Sequence, residues 1–272
     1  MVGRMYDEVD VASLRQAVGG VRWYHSIRLP GGIVTPGLYD LTSSVPKSLL
    51  PASLAGLRCL DVGTHDGFWA FEMERRGAAE VVALDLDDAA RYDLRHPVPP
   101  VEMIQADIDN RRRAFHVAHA ALESRVQRRD LSVYDLGPGA TGNFDFAFIG
   151  TLLHHLRDPI GALMALRTVV TGELIISATF SVSKTVLFPR SPASEMLPST
   201  LPAFWNIPNL VALRRQVTAA GWTVVRSGRP YLQRYGTGRT PPALIARPLG
   251  ELPRRVVLRY GAPHVALVAR PA

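Results

Sequence analysis

From residue 57 onward, apolar runs of strand length alternate with stretches of helical period. Strands are predicted over 58–62, 81–86, 126–136, 144–149 and 173–177, with helices over 67–76, 113–124 and 159–169. Such an alternation predicts a mostly parallel sheet with helices on both faces. Residues 88–110 break the rhythm with Pro97, Pro99 and Pro100 and read as an insertion. A late helix over 208–220 ends at Gly221, and strands over 222–226 and 265–269 can pair at the edge of the same sheet. The proline- and serine-rich stretch 181–206 reads as a lid-like loop. Ahead of this pattern, residues 1–54 hold a helical stretch near 9–18, the run Trp23-Tyr24-His25-Ser26-Ile27 and a segment punctuated by proline and glycine. The chain divides into a small N-terminal cap, 1–54, and an α/β domain, 55–272.

Composition changes this picture little. A chain of 272 residues, 47% hydrophobic, can bury a large core. The single cysteine, Cys59, lies in an apolar run, so a buried free thiol is expected and a disulfide is impossible. A net charge of +7 and a pI near 10.0 raise the question of a nucleic-acid partner. All the basic residues except Lys47 and Lys184 are arginine, a skew that fits codon bias as well as phosphate contacts. Arg111-Arg112-Arg113 reads as a solvated face or helix start. Acids near the N-terminus interrupt any signal-like stretch and no apolar run reaches membrane-span length, so a cytoplasmic protein is expected.

Candidate chemistry begins at Cys59-Leu60-Asp61-Val62-Gly63-Thr64-His65-Asp66-Gly67-Phe68-Trp69, a strand, a glycine turn and a helix start. Open α/β sheets bind nucleotides at such a turn. Gly63 and Gly67 are expected to let the backbone approach a ligand. A dinucleotide fingerprint would need glycine where His65 and Phe68 stand, which disfavours hydride chemistry. Asp61 at the strand end suits an ammonium group, as in the amino acid part of S-adenosylmethionine. Asp85, eighteen residues past Gly67, stands where an acid holds ribose hydroxyls. Asp87 and Asp88 read as loop and helix-cap residues. In Tyr134-Asp135, the acid can accept from an adenine amino group while its neighbour packs on the ring; Asp107 is the alternative acid for that role.

The fourth strand runs through Phe144-Asp145 to Gly150, whose end faces the ligand crevice, and leads into Leu153-His154-His155-Leu156-Arg157-Asp158-Pro159. Asp158 and Pro159 carry a helix-start signature. A neutral His154 or His155 could take a proton from an attacking hydroxyl or simply shape the pocket. Adjacent histidines are expected to diverge, so that at most one faces the pocket. No third ligand at recognisable spacing accompanies this pair or His116 and His119, so no metal site is expected.

These motifs resemble class I S-adenosylmethionine-dependent methyltransferases over roughly residues 55–270. Trp23-Tyr24-His25-Ser26-Ile27 with Thr35-Pro36-Gly37, the Leu153–Pro159 run and Phe204-Trp205-Asn206-Ile207-Pro208 resemble the branch of tRNA wobble-uridine (mo5U34) methyltransferases. The resemblance implies a Rossmann-like seven-stranded sheet whose last strand is antiparallel. It also implies that Asp61, Gly63 and Gly67 surround the methionine part of S-adenosylmethionine, Asp85 the ribose and Asp135 the adenine. Relatives with a carboxylated cofactor have Tyr-His where this chain has His154-His155, which favours plain methyl transfer.

The expected activity is O-methylation of a small hydroxylated metabolite or glycosylated product, with Trp23, His25 and Trp205 on the acceptor side. The alternatives are a tRNA wobble-uridine methyltransferase and a cofactor-binding scaffold without turnover.

Overall fold

A computed structural model describes residues 8–44, 49–197, 203–240 and 258–272. Seven strands form the main path of the central sheet: β1 (Arg58–Val62), β2 (Glu80–Asp85), β3 (Gln127–Asp130), β4 (Phe144–Gly150), β5 (Val170–Thr179), β6 (Trp222–Ser227) and β7 (Ala262–Pro271). Their spatial order is β6-β7-β5-β4-β1-β2-β3, and the short strand Tyr231–Gln233 adds to β7 as an eighth. The pairs among β1 to β5 are parallel, whereas β7 runs antiparallel to both β5 and β6. The order reverses between β1 and β4, which opens a crevice at their carboxyl ends.

Alternating side chains sort the core into two layers. Leu60, Val62, Ala147 and Ile149 pack on one face with the Pro159–Val169 and Leu210–Ala219 helices; Cys59, Phe146 and Phe148 pack on the other with Phe71 and Phe115. The cap belongs to the second layer: Val18, Trp23, Ile27 and Leu29 are buried there. Its strand Trp23–His25 pairs in parallel with Gly37–Tyr39. Cys59 is a buried free thiol, as expected, and burial pushes it up to about 12.

Three elements depart from the sequence pattern. The helix expected at 113–124 begins at Val101 and runs to Ala121, so half of the expected insertion is the first half of a crossover helix. Pro100 stands at its N-cap, and the face carrying Ile108, Ala114, Phe115 and Ala118 is buried. The strand expected over 126–136 is confined to Gln127–Asp130 and gives way to a 3-10 turn, Val133–Asp135, capped by the Ser132 side chain. The described part of 181–206 is not merely loop: it contains a helix, Val182–Leu187, and the strand Ser194–Met196 paired with Asn206–Pro208. The Asp158 signature is present, its carboxylate accepting from the Gly161 N–H at the helix start.

Candidate functional site

The turn after β1 is set by the N–H groups of Gly63 and Thr64, both of which donate to the Leu84 carbonyl. Gly63 and Gly67 have φ of +76° and +93°, which favours glycine at both positions. The space a Cβ would take is filled by protein. At Gly63 it would meet the Leu152 side chain, and at Gly67 it would lie 2.3 Å from Phe71 and 2.8 Å from Phe115. Gly67 therefore also makes room for the Phe71 and Phe115 side chains against the turn. His65 also takes a left-handed conformation, φ +55°, so the turn keeps its shape without glycine there.

Several polar groups converge at this turn. Asp61 is 1% exposed and its Oδ2 has no hydrogen-bond partner; Thr64 Oγ1 and His65 Nδ1 are likewise buried and unpaired. Burial pushes the Asp61 carboxyl up to about 7. Burial, reinforced by the Arg111 charge, holds His65 down at about 3. Asp66, which the sequence reading assigns no role, is fully buried and ties the cap to the turn. Its Oδ2 accepts from the backbone N–H groups of Tyr24 and His25, each at 2.8 Å, and its Oδ1 pairs with His25 Nδ1. Burial alone would raise the Asp66 carboxyl; the His25 charge and these bonds outweigh it and hold the group below its ordinary value.

Asp85 stands at the end of β2 and accepts from the His65 and Leu86 N–H groups, so its carboxylate is oriented beside the glycine turn. Asp88 caps its 3-10 turn through the Ala90 N–H, while Asp87 is held by both terminal nitrogens of Arg128. Asp135 is well exposed and pairs with Arg91. The Tyr134 hydroxyl donates to Asp93 and accepts from the Asp158 N–H, so its ring is fixed across the first layer. Asp107 lies on the long helix, bonded to Arg111 and Arg22. Arg111 is largely buried: it bonds the Tyr92 hydroxyl, and its charge bears on His65, Tyr24 and His155. The expected solvated face thus contributes a cation to the site, recognisable only once the helix is known to start at Val101.

Across the crevice, Gly150 ends β4, with Phe148 and the Trp69 indole where a Cβ would stand. The rings of His154 and His155 lie together, centroids 4.0 Å apart, and both pack on Phe204. The expected divergence is absent because Leu153–His155 is a 3-10 turn, which does not send neighbours to opposite faces as a strand does. Burial lowers both imidazoles, His154 well below its ordinary value and His155 to about 4. His155 Nδ1 lies 2.7 Å from the Ala203 carbonyl and must donate to it, leaving Nε2 as the acceptor nitrogen. Behind them, His264 Nδ1 faces the Ala262 carbonyl, so Nε2 accepts from the Thr151 hydroxyl.

The hairpin of Ser194–Met196 and Asn206–Pro208, here called the roof, is fastened beside these histidines. The Trp205 N–H donates to the His154 carbonyl and its indole to the Asp93 carbonyl. Arg95 donates to the carbonyls of Leu197, Phe204 and Trp205. Trp23, by contrast, is buried with its indole on the Val18 carbonyl and supports the cap from within the core. Among the described residues no group of metal-ligating side chains is found, and no helix is long and apolar enough to cross a membrane.

A family model for a methyltransferase domain matches residues 39–227, more than half of the chain. The chain belongs to that family. It carries a class I S-adenosylmethionine-dependent methyltransferase domain. Among curated relatives, the methyltransferase is 28% identical over 180 residues to a tRNA U34 carboxymethyltransferase of Azotobacter vinelandii, a match covering 64% of this chain and 47% of the relative. It is 30% identical over 105 residues to a ribosomal protein L11 methyltransferase of Phocaeicola vulgatus, covering 36% of this chain and 37% of that one. The chain thus spans about half or less of these relatives. The N-terminal domain of EvdMO1, whose crystal structure was determined in the presence of SAH and D-fucose, shares the fold over the whole of both chains, with a TM-score of 0.55 at 17% identity.

Proposed function

We propose that this methyltransferase methylates an oxygen of a small hydroxylated metabolite or glycosylated product, held beneath the Arg95-latched roof. The roof is the observation that carries the reading. Its bonds to Asp93, His154 and Arg95 hold the hairpin against the end of β4 and the loop after β2, which supports a covered acceptor side suited to a small molecule.

The residues present fit S-adenosylmethionine. Asp61, buried with an unpaired oxygen, suits the ammonium; Asp85, oriented by two backbone N–H groups, suits the ribose hydroxyls. In this reading Asp135 accepts from the adenine amino group, Tyr134 supports that wall through its ring, and Gly63, Gly67 and Gly150 shape the floor. When bound, the cofactor supplies an already activated methyl group. The protein's task is then to align the acceptor oxygen, exclude water and remove one proton. His155 Nε2 is the better placed acceptor for that proton, because Nδ1 is fixed on Ala203 and the ring is neutral near pH 7. His154, buried and packed on Phe204, holds the acceptor wall.

The test is release of S-adenosylhomocysteine from S-adenosylmethionine across a panel of hydroxylated metabolites and glycosides, with bulk tRNA as the competing acceptor. Release with small acceptors and none with tRNA is expected. With the acceptor in hand, His155→Ala should lower the rate by about a hundredfold or more. Unchanged rates in both His154→Ala and His155→Ala would leave alignment as the mechanism.

A second reading, tRNA modification at a wobble uridine, is favoured by the Azotobacter vinelandii relative and the net charge of +7. It requires tRNA binding that weakens as salt rises. Cofactor binding with no release from any acceptor would leave a scaffold without turnover.

A further inference from the structure

His25 is held in a way that no structural role explains. Its Nδ1 pairs with Asp66, and its backbone N–H and that of Tyr24 both go to the same carboxylate. The backbone bonds alone would fasten the cap strand to the glycine turn. The ring is 6% exposed and lies between Phe68 and His65, with centroids 5.5 Å and 6.1 Å away, and among the described residues its side-chain hydrogen bond is made by Nδ1, leaving Nε2 over. Asp61, 1% exposed and with Oδ2 unpaired, lies on the same turn. The two groups are close enough for the His25 charge to act on the Asp61 carboxyl. A buried acid without a cation and, on the adjoining cap strand, an imidazole nitrogen left over from the Asp66 pairing together match a zwitterion.

We propose that His25 binds the carboxylate of the cofactor's amino acid part through Nε2, with Asp66 as its positioning residue and Asp61 taking the neighbouring ammonium. In the bound complex the imidazole donates from both nitrogens, Nδ1 to Asp66 and Nε2 to the ligand carboxylate. Asp66 fixes the ring plane and supplies the countercharge. His25 thereby belongs to the cofactor side of the pocket, whereas its sequence context points to the acceptor side. The inference rests on the proposed orientation of the cofactor, amino acid end over the glycine turn.

Isothermal titration of the full chain with two ligands tests it: S-adenosylhomocysteine and its decarboxylated analogue, 5′-deoxy-5′-(3-aminopropylthio)adenosine. A charge-assisted hydrogen bond corresponds to about tenfold in affinity, so the parent should prefer S-adenosylhomocysteine by about that factor. In His25→Ala this preference should vanish, because affinity for S-adenosylhomocysteine falls while that for the decarboxylated analogue stays within about twofold. Asp66→Asn should narrow the preference, and Asp61→Asn should weaken both ligands together. A cap that had merely lost its fold would weaken both ligands equally in His25→Ala. That result, or a preference that survives His25→Ala, overturns the assignment. Failure of the parent to bind either ligand would overturn the cofactor orientation as well.

Discussion

At the residue scale, Asp61 sets function against stability. Its carboxyl is raised to about 7 by burial, so the folded state binds a proton that the unfolded chain releases near its ordinary value of 3.8. Stability from this group is complete below the unfolded value and is lost as pH rises through about 7. Asp61→Asn removes the cost of a buried carboxylate. We expect the variant without cofactor to be more stable than the parent at pH 8 by about 1–3 kcal/mol, the gap closing toward pH 4. Urea denaturation at the two pH values measures this. Asp61 was readable from its place at a strand end before a glycine turn. Asp66, five residues on, was not, because its meaning lies in partners 41 and 42 residues upstream. Arg111 was hidden in the same way: three consecutive arginines look solvated until the helix phase turns one of them inward.

At the element scale, the alternation of apolar runs and helical periods disclosed β1, β2, β4 and β5, since strands buried on both faces are apolar throughout. The Val101–Ala121 helix was half lost because the prolines that precede it resemble an insertion, and because Asp107 and Arg111, four residues apart, dilute its apolar stripe. The roof was equally out of reach of local pattern. Its hairpin is held to the loop after β2 by Arg95, more than a hundred residues away in the chain. Arg95→Ala leaves three carbonyls without that donor and should destabilise the roof by about 1–3 kcal/mol. Hydrogen exchange should then quicken at Trp205, Asn206 and Ile207 while β4 and β5 stay protected; uniform exchange across both would contradict a separately latched roof.

At the scale of the whole molecule, the cap and the roof are both fastened near the carboxyl ends of β1 and β4. Among the described residues the cap is tied to the turn by the buried Asp66 carboxylate and by ring contacts of Tyr24 and His25 with His65, and the roof to the β4 end through the backbone of His154. Each is anchored on the elements that carry the candidate cofactor residues.

That anchoring imposes a sequence of events. A ligand on the glycine turn steadies the cap through Asp66, and the steadied cap is one wall for the second substrate. The methyl donor should therefore enter first and its product leave last. In steady-state kinetics, S-adenosylhomocysteine should inhibit competitively against S-adenosylmethionine and noncompetitively against the acceptor. Asp66→Asn, by loosening the tie between turn and cap, should shift that pattern toward random addition.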